Sequence, residues 1–355
     1  MIHPPILPHT TLISANSLKL AQRENAFNIW RYYLAMVVFC AHYSILTGTT
    51  SFNWITSSGE AVAGFFCLSG FMVGMSYLRH PGLKSYSVRR LRRILPPYLL
   101  IVLLCAFGGA AISSYTPDAY FSHAGWWRYM AANLSFMNFL GPSLPGVFEQ
   151  NAITAVNGSL WTLKIELLLY ASIPLTFFLL HRYRKAIVLI AIFAFSIAYK
   201  EIFAALARHS GSAIYTIMER QVGSQFIYFY AGTAILLYFD QLQGRWKWPL
   251  IILTLTLYIV GQQLPGYDYI APFVMALLII LSAYAVRLPA LLHKLPNLSY
   301  GIYLFHYPVI QTVNSFGLPQ RNVTSAFSLS LLITVALAWA SWQWVEQPVI
   351  KRWRA

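Results

Sequence analysis

Ser87-Val-Arg-Arg-Leu-Arg-Arg-Ile-Leu-Pro-Pro-Tyr98 runs without a break into Leu99-Leu-Ile-Val-Leu-Leu-Cys-Ala-Phe-Gly-Gly-Ala-Ala-Ile-Ser113. Four arginines in five positions are thus followed, over 94–113, by an uncharged apolar run of the length that crosses a bilayer as a helix. Water does not tolerate such a run on a surface, and a soluble core has no use for the basic cluster that precedes it. In a membrane protein the two belong together, because Lys and Arg gather on the cytoplasmic side of spans.

Working outward, further runs of spanning length fall at 29–47, 60–78, 160–180, 186–206, 221–239, 249–265, 269–286, 298–316 and 325–345. Gly, Gln and Pro interrupt the runs at 221–239 and 249–265. Hydrophobic residues make up 58% of the 355 and charged residues only 10%, well under the quarter usual for soluble domains. The expected fold is therefore all-α, a polytopic bundle of about ten membrane-spanning helices. A polar N-terminal tail (1–26) precedes a single integral-membrane domain (27–353). The opening residues lack the pattern of a removable signal peptide. Cys40, Cys67 and Cys105 each lie in an apolar run and suggest no disulfide framework. The connection 114–158, with Trp126, Trp127, Pro142 and Pro145, is expected to lie partly along the membrane surface.

Charge sets the orientation. With the N-terminus inside, eighteen of the 25 Lys and Arg fall in cytoplasmic segments (Arg287, Lys294, Arg352 and Arg354 among them) and five outside. That places both termini in the cytoplasm. It also accounts for the net charge of +15 without a nucleic-acid partner.

Polar residues inside the spans carry the chemistry, since a charge facing lipid is costly. Arg31 and His42 are eleven residues apart, about three helical turns or roughly 16 Å, so they share a face, with the small Ala35 and Val38 between them. That face reads as a groove with an anion anchor at its mouth and an acid/base group at its depth. The plainer reading has Arg31 reaching the headgroups and His42 packing between helices. In Gly64-Phe-Phe-Cys-Leu-Ser-Gly-Phe71 the small residues Gly64, Ser69 and Gly70 suit close helix approach. Arg89, Arg90, Arg92 and Arg93 suit anionic lipid or the bidentate capture of phosphate. In Asn157-Gly-Ser-Leu-Trp-Thr-Leu-Lys-Ile-Glu166, Ser159 is the expected N-cap, and Thr162, Glu166 and Tyr170 form one polar stripe. Glu166 and His42 lie at similar predicted depth, the arrangement of a histidine base oriented by a carboxylate. In Leu298-Ser-Tyr-Gly-Ile-Tyr-Leu-Phe-His-Tyr-Pro308, His306 is expected to pack or to bond into the gap left by Pro308. There is no phosphate-binding Gly-rich loop, no Cys/His cluster with metal spacing and no Gly-x-Ser-x-Gly elbow.

Taken in order, these motifs resemble the acyltransferase-3 family of membrane proteins. The likeness covers about 27–353: an Arg-x10-His first helix, Phe-Phe-x-x-Ser-Gly-Phe, an Arg-rich turn before Ile-x-Pro, Leu-Trp-Thr-Leu-x-x-Glu, Leu-Ser-Tyr-x-Ile-Tyr-Leu-x-His and Trp344-Val-Glu-Gln-Pro348. The resemblance is weaker from 186 to 290. It implies transfer of an acyl group, most often acetyl, from cytoplasmic acyl-coenzyme A to a carbohydrate hydroxyl at the outer face. The acceptor is then a surface polysaccharide or its lipid-linked precursor, and the location the bacterial plasma membrane. Acyl-CoA (acetyl-CoA) enters as co-substrate, with no permanently bound cofactor and no metal. By motif match His42 is the catalytic residue, with Glu166 supporting the acid/base step. Arg31, Arg90 and Arg93 help bind the coenzyme, and Ser69, Trp161 and His306 are supporting positions. Competing readings are another acyl donor or a non-glycan acceptor, a transporter or flippase, whose path intramembrane Arg, His and Glu would also line, and a non-catalytic scaffold.

Overall fold

The computed structural model describes residues 12–51, 57–286, 288, 289, 292 and 295–351. All ten apolar runs are helical in it. They form α1 (Phe27–Thr47), α2 (Ser58–Arg79), α3 (Leu83–Gly108), α4 (Trp161–Arg182), α5 (Lys185–Ser210), α6 (Val222–Leu237), α7 (Lys247–Val260), α8 (Tyr267–Ala285), α9 (Ser299–Ser315) and α10 (Val323–Ser341). There is no strand among the described residues. Among the described residues, seven helical stretches are long and apolar enough to cross a membrane, those of α1 to α5, α8 and α10. The other three, α6, α7 and α9, have 16, 14 and 17 residues. At 1.5 Å per residue, 14 residues reach only about 21 Å, short of the ~30 Å hydrocarbon core. Side chains on the outer faces are apolar, such as Ile190, Ile259 and Leu332, each about two-thirds exposed (65%, 66% and 67%). Such surfaces suit lipid, and the protein is a multi-pass membrane protein. Of the residues in the charge count, Arg287, Lys294, Arg352 and Arg354 lie outside the described residues, as do 1–11 of the polar tail.

One local expectation changes. The arginine cluster is not a turn ahead of the third span, because α3 begins at Leu83 and carries all four arginines on its second and third turns. Nothing between 83 and 95 breaks a helix, and the paired prolines Pro96 and Pro97 fall where the chain is already wound. The connection 114–158 is also folded in its own right. Helices Pro117–Ser122 and Ala124–Leu134 are capped by Thr116 and His123. Tyr120 Oη and Trp126 Nε1 donate to the Ala106 carbonyl at 2.8 and 3.0 Å, close to the end of α3 where helical carbonyls lose their partners. Trp126 is buried and Trp127 is exposed.

The chain forms two compact units. One comprises the described residues within Met1–Trp30, Ala63–Ser87 and Ile165–Lys294. Lipid tails are as apolar as leucine, so burial alone does not hold membrane helices together, and close backbone approach does. Here a Cβ on Gly70 would fall 1.7 Å from the Phe229 carbonyl oxygen, and one on Gly232 1.9 Å from that of Cys67. Only glycine allows α2 and α6 to cross so closely, and Thr233 Oγ1 donates to the Gly70 carbonyl at 3.0 Å. Phe27, Phe71, Phe239 and Tyr284 pack edge-on around this crossing. Pro174 in α4 offers no N–H to the Tyr170 carbonyl, and Tyr86 Oη donates there instead at 2.8 Å.

The second unit comprises the described residues within Arg31–Val62, Val88–Lys164 and Leu295–Ala355. Its core has two parts. Tyr98, Val102, Trp126, Leu160 and Phe305 belong to one, and Phe39, Tyr43, Tyr307 and Ile310 to the other. All the residues of the site described next lie in this unit, apart from Ser69 and Glu166.

Candidate active site

Helix α1 is unbroken from Phe27 to Thr47, so Arg31 and His42 share its face as their spacing requires. The face between them is closed. Ala35 and Val38 are 1% and 0% exposed, so the open groove that was one of the two readings of this face is not present. The two ends are therefore distinct places.

At the histidine end, His42 Nδ1 lies 2.7 Å from His306 Nε2. The ring centroids are 5.0 Å apart with planes only 9° off parallel. With the nitrogens that close, the rings meet edge to edge in nearly one plane. His306 is completely buried, and its Nδ1 lies 3.1 Å from the Ile302 carbonyl one turn earlier. His42 is half-buried. Tyr307 packs edge-on against His42 at 5.4 Å, and Phe39 and Tyr303 close around His306. Of the two readings the sequence offered for His306, it packs among rings and does not fill the gap left by Pro308. Pro308 withholds a donor from the Leu304 carbonyl, and Asn157 Nδ2 supplies it at 2.9 Å. Asn157 Oδ1 accepts from Ser159 N and Ser159 Oγ. Asn157, not Ser159, thus caps the turn leading into α4. A Cβ on Gly158 would meet the Tyr307 ring at 2.7 Å, so glycine lets this turn lie flat on that ring. Tyr303 Oη is 2.7 Å from Thr162 Oγ1.

At the arginine end, Asn297 joins two of the expected ligands. With its amide oxygen toward the guanidinium groups, the orientation that satisfies both ends of the amide, it accepts from Arg31 Nη1 at 3.1 Å and from Arg93 Nη2 at 3.2 Å. Tyr32 Oη holds the same turn by donating to the Pro296 carbonyl. Arg93 also pairs with Glu346 at 3.4 Å, and that carboxylate is 2% exposed. The Arg93 guanidinium lies over the rings of Tyr300 and Trp342 at 5.8 and 6.0 Å. Glu346 closes a π-helical turn, Trp342–Glu346, that widens the end of α10. Such turns are rare and concentrate at functional sites.

The remaining expected residues are dispersed. Arg90 is half-buried on α3, three residues before Arg93 and so near its face. Trp161 is the first residue of α4. Glu166 accepts a hydrogen bond from Tyr170 Oη within the other unit, and Ser69 lies on α2 in that unit. The nitrogen partner of His42 is thus a histidine, where the sequence suggested a carboxylate. Asn297, Glu346, Tyr307 and Asn157 were missed. Glu346 carried a signal, as a carboxylate directly after an apolar run. The other three carry none, because an asparagine just ahead of a helix and a tyrosine inside an apolar run are ordinary there.

The sequence matches the family described as acyltransferase domain over residues 24–343. The chain belongs to the acyltransferase-3 family. It is 27% identical to Nodulation protein 10 of Rhizobium leguminosarum bv. viciae, over 92% of this chain and 94% of that relative. It is 24% identical to an O-acetyl transferase of Shigella phage Sf6, over 93% and 97%. The identity to O-acetyltransferase OatA of Staphylococcus aureus (strain NCTC 8325 / PS 47) is 23%, over 84% of this chain and 54% of that protein. No solved structure matches the chain at a significant level. The acyltransferase-3 chain described here is a membrane acyltransferase, and its intramembrane histidines and arginines are read in that light.

Proposed function

We propose that this enzyme moves an acetyl group from acetyl-coenzyme A on the cytoplasmic side of a bacterial cell membrane to a hydroxyl of a surface glycan or its lipid-linked precursor. About ten spans with both termini cytoplasmic complete the reading, supported by the charge count and by ten helical runs, seven of them of spanning length among the described residues. The observation that carries it is His42, half-buried beside a fully buried second histidine, eleven residues along one helix from an arginine that shares an asparagine with Arg93. Relatives named as O-acetyltransferases support acetyl and an oxygen acceptor.

Guanidinium forks match phosphate oxygens, so Arg31, Arg93 and Arg90 are suited to the phosphates of the coenzyme. Its pantetheine arm then brings the thioester toward His42, and side chains packed over Ala35 and Val38 shift to admit it. His42 takes the proton of the acceptor hydroxyl as its oxygen attacks the thioester carbonyl. The tetrahedral intermediate collapses, the C–S bond breaks, and the thiolate leaves with the proton that His42 returns. Thioester and ester are close enough in energy that the step needs no nucleotide hydrolysis. The protein supplies positioning and a base.

The test incubates purified protein in lipid nanodiscs with labelled acetyl-coenzyme A and envelope glycans. Label passes to the glycan, and fails to do so in His42→Ala at unchanged expression. Full activity in both His42→Ala and Arg31→Ala removes the proposed site.

A further inference from the structure

We infer that His306 is a positioning residue that fixes the proton of His42 on Nδ1, leaving Nε2 as the lone pair that meets the acceptor hydroxyl. This rests on the reading of His42 as the base, and deepens it by naming the nitrogen and what holds it.

The argument runs along three atoms. The Ile302 carbonyl only accepts hydrogen bonds, and His306 Nδ1 faces it at 3.1 Å, so Nδ1 carries a hydrogen. A neutral imidazole has one N–H, which leaves His306 Nε2 a bare lone pair. Nε2 lies 2.7 Å from His42 Nδ1, a distance at which two lone pairs repel, so His42 Nδ1 carries the hydrogen between them. His42 is then neutral with Nε2 unprotonated, and among the described residues Nε2 has no hydrogen-bond partner. The edge-to-edge, nearly coplanar rings are the geometry such a bond requires.

The surroundings keep the pair neutral and in register. Phe39, Tyr303, Tyr307 and the Ile302 carbonyl surround the two rings, and among the described residues no carboxylate contacts them to balance a second proton. Asn157 on the Leu304 carbonyl steadies the backbone two residues before His306. Gly158 lets its turn close on the ring of Tyr307, which stands edge-on to His42. When Nε2 takes the acceptor proton, the positive charge on His42 is shared through its Nδ1–H bond with His306. His306 never leaves its carbonyl. A neutral acceptor in this place stabilises the imidazolium less than a carboxylate does, and it spares the apolar interior a permanent negative charge.

The experiment uses the full chain in nanodiscs with 15N-labelled histidine, the His42 signals being assigned as those lost in His42→Ala. In the parent protein the two-bond proton–nitrogen pattern shows His42 protonated at Nδ1 and bare at Nε2. In His306→Phe, which fills the space without an acceptor, His42 reverts to the ordinary Nε2–H form. There kcat falls by about 10²-fold while KM for acetyl-coenzyme A stays within about twofold, a loss within reach of a positioned base. His306→Gln, whose amide oxygen can accept from His42, recovers activity to within about tenfold of the parent. A parent spectrum with His42 protonated at Nε2 overturns the inference, and so does an equal loss in the Phe and Gln variants. Failure of the underlying reading looks different. His42→Ala then transfers acetyl at the full rate, whatever the spectrum of the parent.

Discussion

At Arg31, helix α1 meets long, half-buried cations held by a shared amide and a buried carboxylate. At His42, eleven residues on, it meets rings packed against rings. The arginine end is made of groups with many rotamers and several donors each, so in the proposed reading it would capture an anion without demanding one geometry. The histidine end is a single line of atoms, Ile302 oxygen to His306 to His42, in which each position dictates the next. One end is built for affinity and tolerates error, and the other is built for direction and does not.

Substitutions test that contrast, and the largest effect is expected at the histidine end. His42→Ala lowers kcat by about 10²–10⁴-fold, the span usual for a general base, in a labelled acetyl-transfer assay. A loss smaller than that of Arg31→Ala would reverse the assignment of the two ends. Arg31→Ala and Arg93→Ala each raise the KM for acetyl-coenzyme A by about tenfold, near the value of a charge-assisted hydrogen bond, with kcat little changed. A fall in kcat at constant KM in either variant breaks the contrast.

Asn157→Ala sharpens it further. This change leaves the Leu304 carbonyl without the donor that Pro308 withholds, costing about 1–3 kcal/mol, and it loosens the turn against Tyr307. A lower Tm should come with a kcat reduced several-fold. Tyr86→Phe removes the matching donor from the Tyr170 carbonyl, and should lower Tm while leaving kcat alone. Smallest of all is Glu346→Gln. Arg93 is 29% exposed, so the lost pairing is partly screened and costs about 1 kcal/mol, read as a Tm lower by a few degrees. A large loss of kcat there would move Glu346 from the arginine end into the chemistry.

Helices were legible in the residues because each apolar run had to satisfy its backbone internally once in lipid, and a helix does so alone. Arg31 and His42 were legible as a pair because a helix has a fixed period. His306 was legible as an intramembrane histidine that packs or bonds, but its bond to His42 was not. A proline gap advertises a missing donor in the sequence, but not which side chain from another segment arrives to fill it. The partners of Asn297 and Glu346 were out of reach for the same reason, as each meets its arginine across more than two hundred residues.

By itself, then, the sequence determined a helical membrane protein whose polar residues stand on particular faces. Local hydrogen bonding and the length of an apolar run suffice for that. Tertiary structure alone decided which polar atoms meet: histidine with histidine, asparagine with the carbonyl that Pro308 leaves bare, and two arginines on one amide. Those choices depend on distances between segments far apart in the chain, set by how closely glycines and small side chains let the helices approach.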